Sequence, residues 1–250
     1  MKKIFAIGGG EMKRPGVKNE TLLLDREIIN MTGKSNPKLL FISTASLDPD
    51  GYIEGIEKYF GGKLGCKVDS LTLTKKVYTQ KELEDKILKT DIIYVGGGNT
   101  LMMMKLWRKL GVDVLLKKAH NKGVVLSGLS AGSICWFKYG NSDSARFGKN
   151  KAASMIRVKG LDLLPFLHCP HYDIEKGREA SLKIMMKKTP GVAIALDNCV
   201  ALKVIDDKYC VVRSKKTANA YKVYWSKGKY FKEKINVTKE MMPLSELLNK

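Results

Sequence analysis

An α/β fold on a mostly parallel sheet is what the 250 residues predict, on three observations. Short apolar runs alternate with segments of helical spacing through the first half of the chain. The runs are continuous rather than alternating, as strands covered on both faces should be. Several of them end in glycines. Strands separated by about ten or more residues of helix pair in parallel through right-handed crossovers.

Taken in order, "KIFAIGG" (3–9) is a first strand running into three glycines. "TLLLDREIINMTG" (21–33) spaces its apolar residues as a helix does, with Gly33 as a stop signal. Strands follow at 38–44 and 68–74, with a helix over 50–60 between them. In "TQKELEDKILK" (79–89), Thr79 precedes Glu82 by three residues, the arrangement of a capping box. "DIIYVGGGNT" is a strand leading into glycines, and helices are expected over 101–111 and 112–122. "GVVLSG" (123–128) is the fifth strand, followed by a helix over 131–139. The run Met102–Met104 suits core filling.

The last third changes character. A helix at 178–188 and a strand at 192–197 give way to two hairpins, turning at Asp206-Asp207 and at Ser226-Lys227-Gly228. No linker, low-complexity stretch or repeat interrupts the chain, so residues 1–250 are expected to form one domain.

Composition narrows the function classes. No apolar run approaches the roughly 20 residues that span a bilayer. Ile4–Ile7 is also far shorter than a signal-peptide core of about 7–15 residues. Five cysteines without regular spacing argue for a reducing compartment, so a cytoplasmic location is expected. The net charge of +20 comes mostly from scattered lysines, and only seven residues are arginine. Without an arginine tract or interleaved aromatics, a lysine-coated surface is expected rather than a nucleic-acid site.

A parallel α/β sheet carries its functional groups at the carboxyl ends of its strands. Three features fall there: Gly8-Gly9-Gly10, Gly96-Gly97-Gly98-Asn99, and Ser130 within "GLSAGS". A serine hydroxyl needs a base at neutral pH, and the chain has three histidines. His120, in a lysine-rich helical segment, is expected at the surface. His168 and His171 lie in "LLPFLHCPHYD", a turn broken by two prolines. His168 ends an apolar run and suits a packed core imidazole, which leaves His171 as the base. A metal reading of His168, Cys169, His171 and Asp173 lacks a second Cys/His cluster to complete a structural tetrahedron. Ala131 N–H and a Gly97 or Gly98 N–H are candidate oxyanion donors. Asn99 or Thr100 can equally serve as an N-cap. "IGGGEMK" fails the dinucleotide fingerprint, because Lys13 stands where its third glycine belongs. In an α/β-hydrolase the histidine comes late in the chain, whereas nearly 80 residues follow His171.

Together, "YVGGGNT", "GLSAGS", "LLPFLHCPHYD" and "GREASLKIMMKKTPGVAIALD" resemble the peptidase E family of serine peptidases, the aspartyl dipeptidases, and more distantly cyanophycinase. The resemblance runs from about Lys2 to Val212. It implies a class I glutamine-amidotransferase-like (flavodoxin-like) three-layer sandwich with a mostly parallel sheet, to which the C-terminal β-hairpins read above are added. It also implies a cytoplasmic exopeptidase that needs no cofactor or metal and cleaves small peptides beginning with aspartate. Carried over, the family serine falls on Ser130, its histidine on His171, and its oxyanion donors on Gly98 and Ala131. Asp143 is the expected orienting acid and Asp197 the second choice, although the cyanophycinase-like position is Asn198. Arg178 matches a substrate-recognising arginine, and Asn99 is a second expected substrate-binding residue; an exposed helix-start residue is the competing reading of Arg178. Ser181 stands where a second arginine belongs, which loosens the implied aspartate preference. The oligomeric state expected is a monomer or homodimer. A cyanophycinase-like amidohydrolase is one alternative, and a non-catalytic anion-binding module is another.

Overall fold

The computed structural model describes residues 1–12, 19–148, 150–174 and 177–250. Its centre is a sheet whose parallel strands are β1 (Lys3–Ile7), β2 (Lys38–Ile42), β3 (Lys67–Leu71), β4 (Ile92–Val95) and β5 (Val125–Leu129), in the order β1-β5-β4-β2-β3. Beyond β1 the sheet continues antiparallel through β10 (Val200–Ile205), β11 (Lys208–Arg213) and the short β14 (Met242–Pro243).

Both faces of this sheet are covered, which is why its strands read as continuous apolar runs. Phe5, Ile7, Phe41 and Tyr94 pack beneath α1 (Leu22–Asn30) and the segment around Tyr59-Phe60, which continues α2 (Asp50–Ile56). Ile4, Ala6, Leu40 and Leu126 face the other way. They meet α3 (Gln80–Leu88), α4 (Thr100–Leu110) and α5 (Val112–Asn121), whose buried face includes Trp107 and Leu116. The expected capping box forms at the start of α3. Thr79 Oγ1 accepts from Glu82 N while Glu82 Oε2 accepts from Thr79 N, an arrangement worth about 1 kcal/mol.

A second sheet rests against the same core. It orders β13 (Lys229–Ile235), β12 (Ala220–Ser226), β9 (Val192–Leu196), β8 (Leu164–Cys169), β6 (Phe137–Ser142) and β7 (Ile156–Lys159). Phe137, Phe166 and Ile194 point into the shared core. Cys169, Ala193 and Ala195 point outward, under Leu182 and Met186 of α7 (Arg178–Lys187). Both expected hairpins form, one in each sheet: β10–β11 belongs to the first and β12–β13 to the second.

This second sheet revises two sequence expectations. The expected helix over 131–139 divides: α6 takes Ala131–Ile134 only, and β6 begins at Phe137. Gly140 makes that fold-back possible, since a Cβ there would lie 2.2 Å from Ile134 Cγ2. The expected turn at "LLPFLHC" is strand β8. Its register against β6 shifts between Phe137 and Tyr139, alongside Pro165. Proline has no N–H to give the ladder, and an irregularity is where a strand tolerates it. Lys13 lies outside the described residues.

Candidate active site

Five strands of the two sheets deliver their carboxyl ends to one place. After β5 the chain turns at Ser130 with φ 56° and ψ −117°, a conformation that a non-glycine residue adopts only under strain. The flanking glycines permit the turn. A Cβ on Gly132 would lie 2.0 Å from Val95 O, and one on Gly128 would lie 2.5 Å from Gly132 O. The spacing G-x-S-x-G is therefore the signature of a backbone pressed against the end of β4. Ser130 O caps α6 by accepting from Ser133 N and Ile134 N, both at 3.0 Å.

The loop after β4 approaches from the side. A Cβ on Gly97 would sit 3.4 Å from Ser130 Cβ and 3.8 Å from its Oγ. Gly98 has φ 135°, and a Cβ there would meet Ala45 O at 2.2 Å, so only glycine fits. No acceptor takes the N–H of Gly98 or of Ala131 among the described residues. Both donors are free beside the Ser130 turn. Asn99 does something different from the substrate contact expected of it. Its Oδ1 accepts from Met102 N at 3.0 Å and its N–H reaches Ala45 O at 2.7 Å, so its acceptor is committed to the N-cap of α4.

The second sheet brings His171. Its N–H donates to Gly8 O at 3.0 Å, which ties the end of β8 to the end of β1. A Cβ on Gly9 would fall 2.4 Å from the imidazole and 2.2 Å from Asn198 Oδ1, so the first glycine cluster exists to let β1 run against this pair. His171 Nδ1 lies 2.7 Å from Asn198 Oδ1. With the amide oxygen so placed, Nδ1 carries the proton and Nε2 is left with its lone pair. Asn198 is held in turn by its own N–H, which donates to Asp173 Oδ1 at 2.8 Å. No hydrogen bond joins His171 to Ser130 Oγ among the described residues.

Neither expected carboxylate holds the imidazole. Asp197, beside Asn198, turns away: its Oδ2 accepts from Asn219 N at 2.8 Å and its N–H donates to Asn219 O. Burial raises its pKa. Asp143 opens the 3-10 turn at Ser144–Phe147, where its carbonyl accepts from Arg146 N. The residue facing Nδ1 is the neutral Asn198.

His168 is the packed imidazole expected. It is fully buried, stacked on Phe137 at 4.4 Å between ring centroids. Its Nδ1 donates to Ile194 O at 3.0 Å, so Nε2 can only accept, from Ser133 Oγ at 2.9 Å. Burial pushes its pKa down to about 3. Ser133 Oγ also lies 2.8 Å from Ser130 O, so its single proton is shared between two acceptors, the Ser130 carbonyl and the His168 ring. With both ring nitrogens occupied, His168 cannot join His171 and Asp173 around a metal.

Two further expectations change. His120 is 7% exposed rather than superficial, and burial lowers its pKa to about 4. Arg178 is 2% exposed, neither a surface residue nor open to a substrate carboxylate. Its Nη1 donates to Asn141 O at 2.7 Å and pins the end of β6 to the start of α7. Ser133 had no sequence signal of its own, and Asp173 entered only through the metal reading; each acts by supporting a site residue.

Comparison with known proteins gives the chain a family. The model of peptidase family S51 matches residues 4–212. An uncharacterized peptidase of Bacillus subtilis (strain 168) is 36% identical over 225 residues, covering 89% of this chain and 92% of the relative. An uncharacterized peptidase of Listeria monocytogenes is 28% identical over 158 residues, covering 62% of this chain and 74% of its own. Among solved structures, a peptidase from an acI-B1 actinobacterium superposes with a TM-score of 0.68 at 17% identity, covering 97% of this chain and 96% of that one. That likeness extends the shared fold over the C-terminal hairpins, beyond the matched family region. A serine strained on a strand-to-helix turn, the N–H groups of Gly98 and Ala131 beside it and an oriented histidine suit peptide hydrolysis, and the chain belongs to peptidase family S51.

Proposed function

We propose that the chain is a serine exopeptidase acting on small peptides through Ser130, His171 and Asn198. The observation that carries this reading is the strained Ser130 turn opening onto the same edge as the His171–Asn198 pair. His171 Nε2 takes the proton of Ser130 Oγ as the oxygen attacks the peptide carbonyl. This contact tightens when substrate binds, as catalytic hydrogen bonds that stand open in free enzymes do. The N–H groups of Gly98 and Ala131 receive the oxyanion. The imidazolium then protonates the leaving amine, and water entering on the same base hydrolyses the acyl-enzyme. Asn198 fixes the tautomer, as the amide does in Cys-His-Asn proteases, but adds no negative charge to stabilise the imidazolium.

A preference for an N-terminal aspartate rests on the family resemblance, with Arg178 buried and Ser181 in place of a second arginine. A cytoplasmic setting accords with five cysteines that are all free and buried. No helix among the described residues is long and apolar enough to cross a membrane. The decisive test is a panel of Asp-X, β-Asp-X and neutral dipeptides with wild type and Ser130→Ala. Ser130→Ala is expected to lose about 10³-fold or more in kcat/KM, and to lose fluorophosphonate labelling. Full activity in the variant on any cleaved dipeptide overturns the assignment. Cleavage of β-Asp-X alone selects the cyanophycinase-like alternative.

A further inference from the structure

Between α7 and the edge strand β7 lies a groove of about 540 Å³ that the chemistry above does not use. Arg146, Arg157 and Lys188 line it, together with the hydroxyl of Ser181 and the side chains of Met155 and Met185. No carboxylate occurs among its described lining residues. The Arg157 guanidinium is already oriented. Nη1 donates to Thr189 Oγ1 at 2.9 Å, and Cζ lies over the Tyr139 ring, 4.7 Å from its centroid. Neither Arg157 nor Lys188 has a carboxylate partner among the described residues. A stacked guanidinium keeps its fork for a planar anion, and stacking reduces the freedom it loses when one binds.

We propose that this groove is a second, non-catalytic site for a small aliphatic carboxylate, a dicarboxylate or a short acidic peptide. Arg157 binds the carboxylate, Lys188 supplies a further positive charge, and the two methionines pack the aliphatic stem. The volume is that of a small-molecule site, much larger than an inorganic anion needs, and the methionine walls would be wasted on phosphate. A chain of contacts links the groove to the candidate active site. Ser181 Oγ accepts from Asn141 Nδ2 at 3.1 Å, and Asn141 receives Arg178 through its backbone oxygen. Asn141 stands on β6 beside Cys169, two residues before His171.

Calorimetric titration with glutarate at low salt tests this independently of the reaction assigned to Ser130. Saturable binding is expected to wild type and, unchanged, to Ser130→Ala and His171→Ala. Arg157→Met and Lys188→Glu, both exposed positions whose folding is checked by melting, should each weaken it by about tenfold or more. The proposal is overturned by absence of saturable binding, or by binding indifferent to both groove variants. Loss of binding in Ser130→Ala would put the ligand in the catalytic cleft and also overturn it. Inorganic phosphate binding as tightly as glutarate, with the same dependence on Arg157, would make this a general anion site and overturn the carboxylate assignment.

Discussion

The two sheets contribute to one site by opposite means. The first supplies Ser130 and both oxyanion donors from plain β-α crossovers, where each strand ends, a glycine turns and a helix begins. The second supplies His171 and Asn198 from loops that follow β8 and β9 with no helix starting at either residue, and positive φ occurs on both sides, at Ser130 as at His171 and Cys199. The nucleophile's side is rigid because backbone presses on backbone. The base's side is held by the His171–Asn198–Asp173 side-chain contacts and by scattered backbone bonds, from His171 N–H to Gly8 O, Tyr172 N–H to Leu196 O and Cys199 N–H to Gly9 O. Damage on the first side should therefore unfold the protein, whereas damage on the second should change its rate and its pH response.

The largest expected effect is at Gly132. Gly132→Ala puts a methyl group 2.0 Å from Val95 O, with backbone on both sides and nothing that can swing away. A loss of about 3 kcal/mol or more is expected, visible as a melting temperature many degrees lower or as insoluble protein. A variant with wild-type melting would show that the nucleophile's side is not rigid.

On the other side, Asn198→Ala should melt near wild type and lower kcat by about tenfold to a hundredfold, with KM little changed. Asn198→Asp sharpens the point by adding the charge the site lacks. A carboxylate 2.7 Å from Nδ1 favours the imidazolium, so the acidic limb of the kcat/KM profile should move up by about one pH unit. A limb that stays in place would mean that His171 is not the titrating base.

The sheets also oppose each other in stability against pH. Burial and Ile194 O hold His168 neutral, with a folded pKa of about 3 against an ordinary value of 6.5. Between these values the unfolded chain binds the extra proton, so this contribution is present above pH 6.5 and is lost as pH falls toward 3. Asp25, beneath the first sheet, is shifted up to about 7 by burial, the hydroxyls of Thr21 and Tyr59 offsetting this only in part. There the folded chain holds the proton, so stability is lost as pH rises from 3.8 through 7. Asp25→Asn should accordingly raise the melting temperature more at pH 8 than at pH 5. An equal change at both values would refute the assignment. The smallest effect belongs to Thr79→Ala, about 1 kcal/mol in chemical denaturation, with no change in activity.

The difference between the sheets also decided what the sequence could tell. The first sheet's strands were visible because each is a continuous apolar run bounded by a helix with ordinary start and stop signals. β6 was hidden because "ICWFKYG" keeps an apolar face at helical spacing, and only the contact of Gly140 with Ile134 forces the chain to reverse. β8 was hidden by Pro165, which reads as a breaker unless one knows that the ladder is irregular there. Ser130 and His171 were visible as residue types in a motif. The partner of His171 was only half visible: the cyanophycinase-like position pointed to Asn198, but charge argued for Asp143 or Asp197, while geometry puts the amide of Asn198 on the ring. Arg178 misled for a related reason, since helix-start position says nothing about which strand the side chain turns toward.

The pairing of β1 has a consequence for how the protein is made. Residues 3–7 sit between β5 and β10, and the second partner is about 200 residues away along the chain. At the usual ribosomal pace of about 5–20 residues per second, the first strand waits on the order of 10–40 seconds for its last neighbour. Ser130 and its oxyanion donors can assemble in the meantime, but His171 and Asn198 cannot. On the proposed mechanism, a nascent chain stays inert toward the peptides around it until its own central sheet has closed.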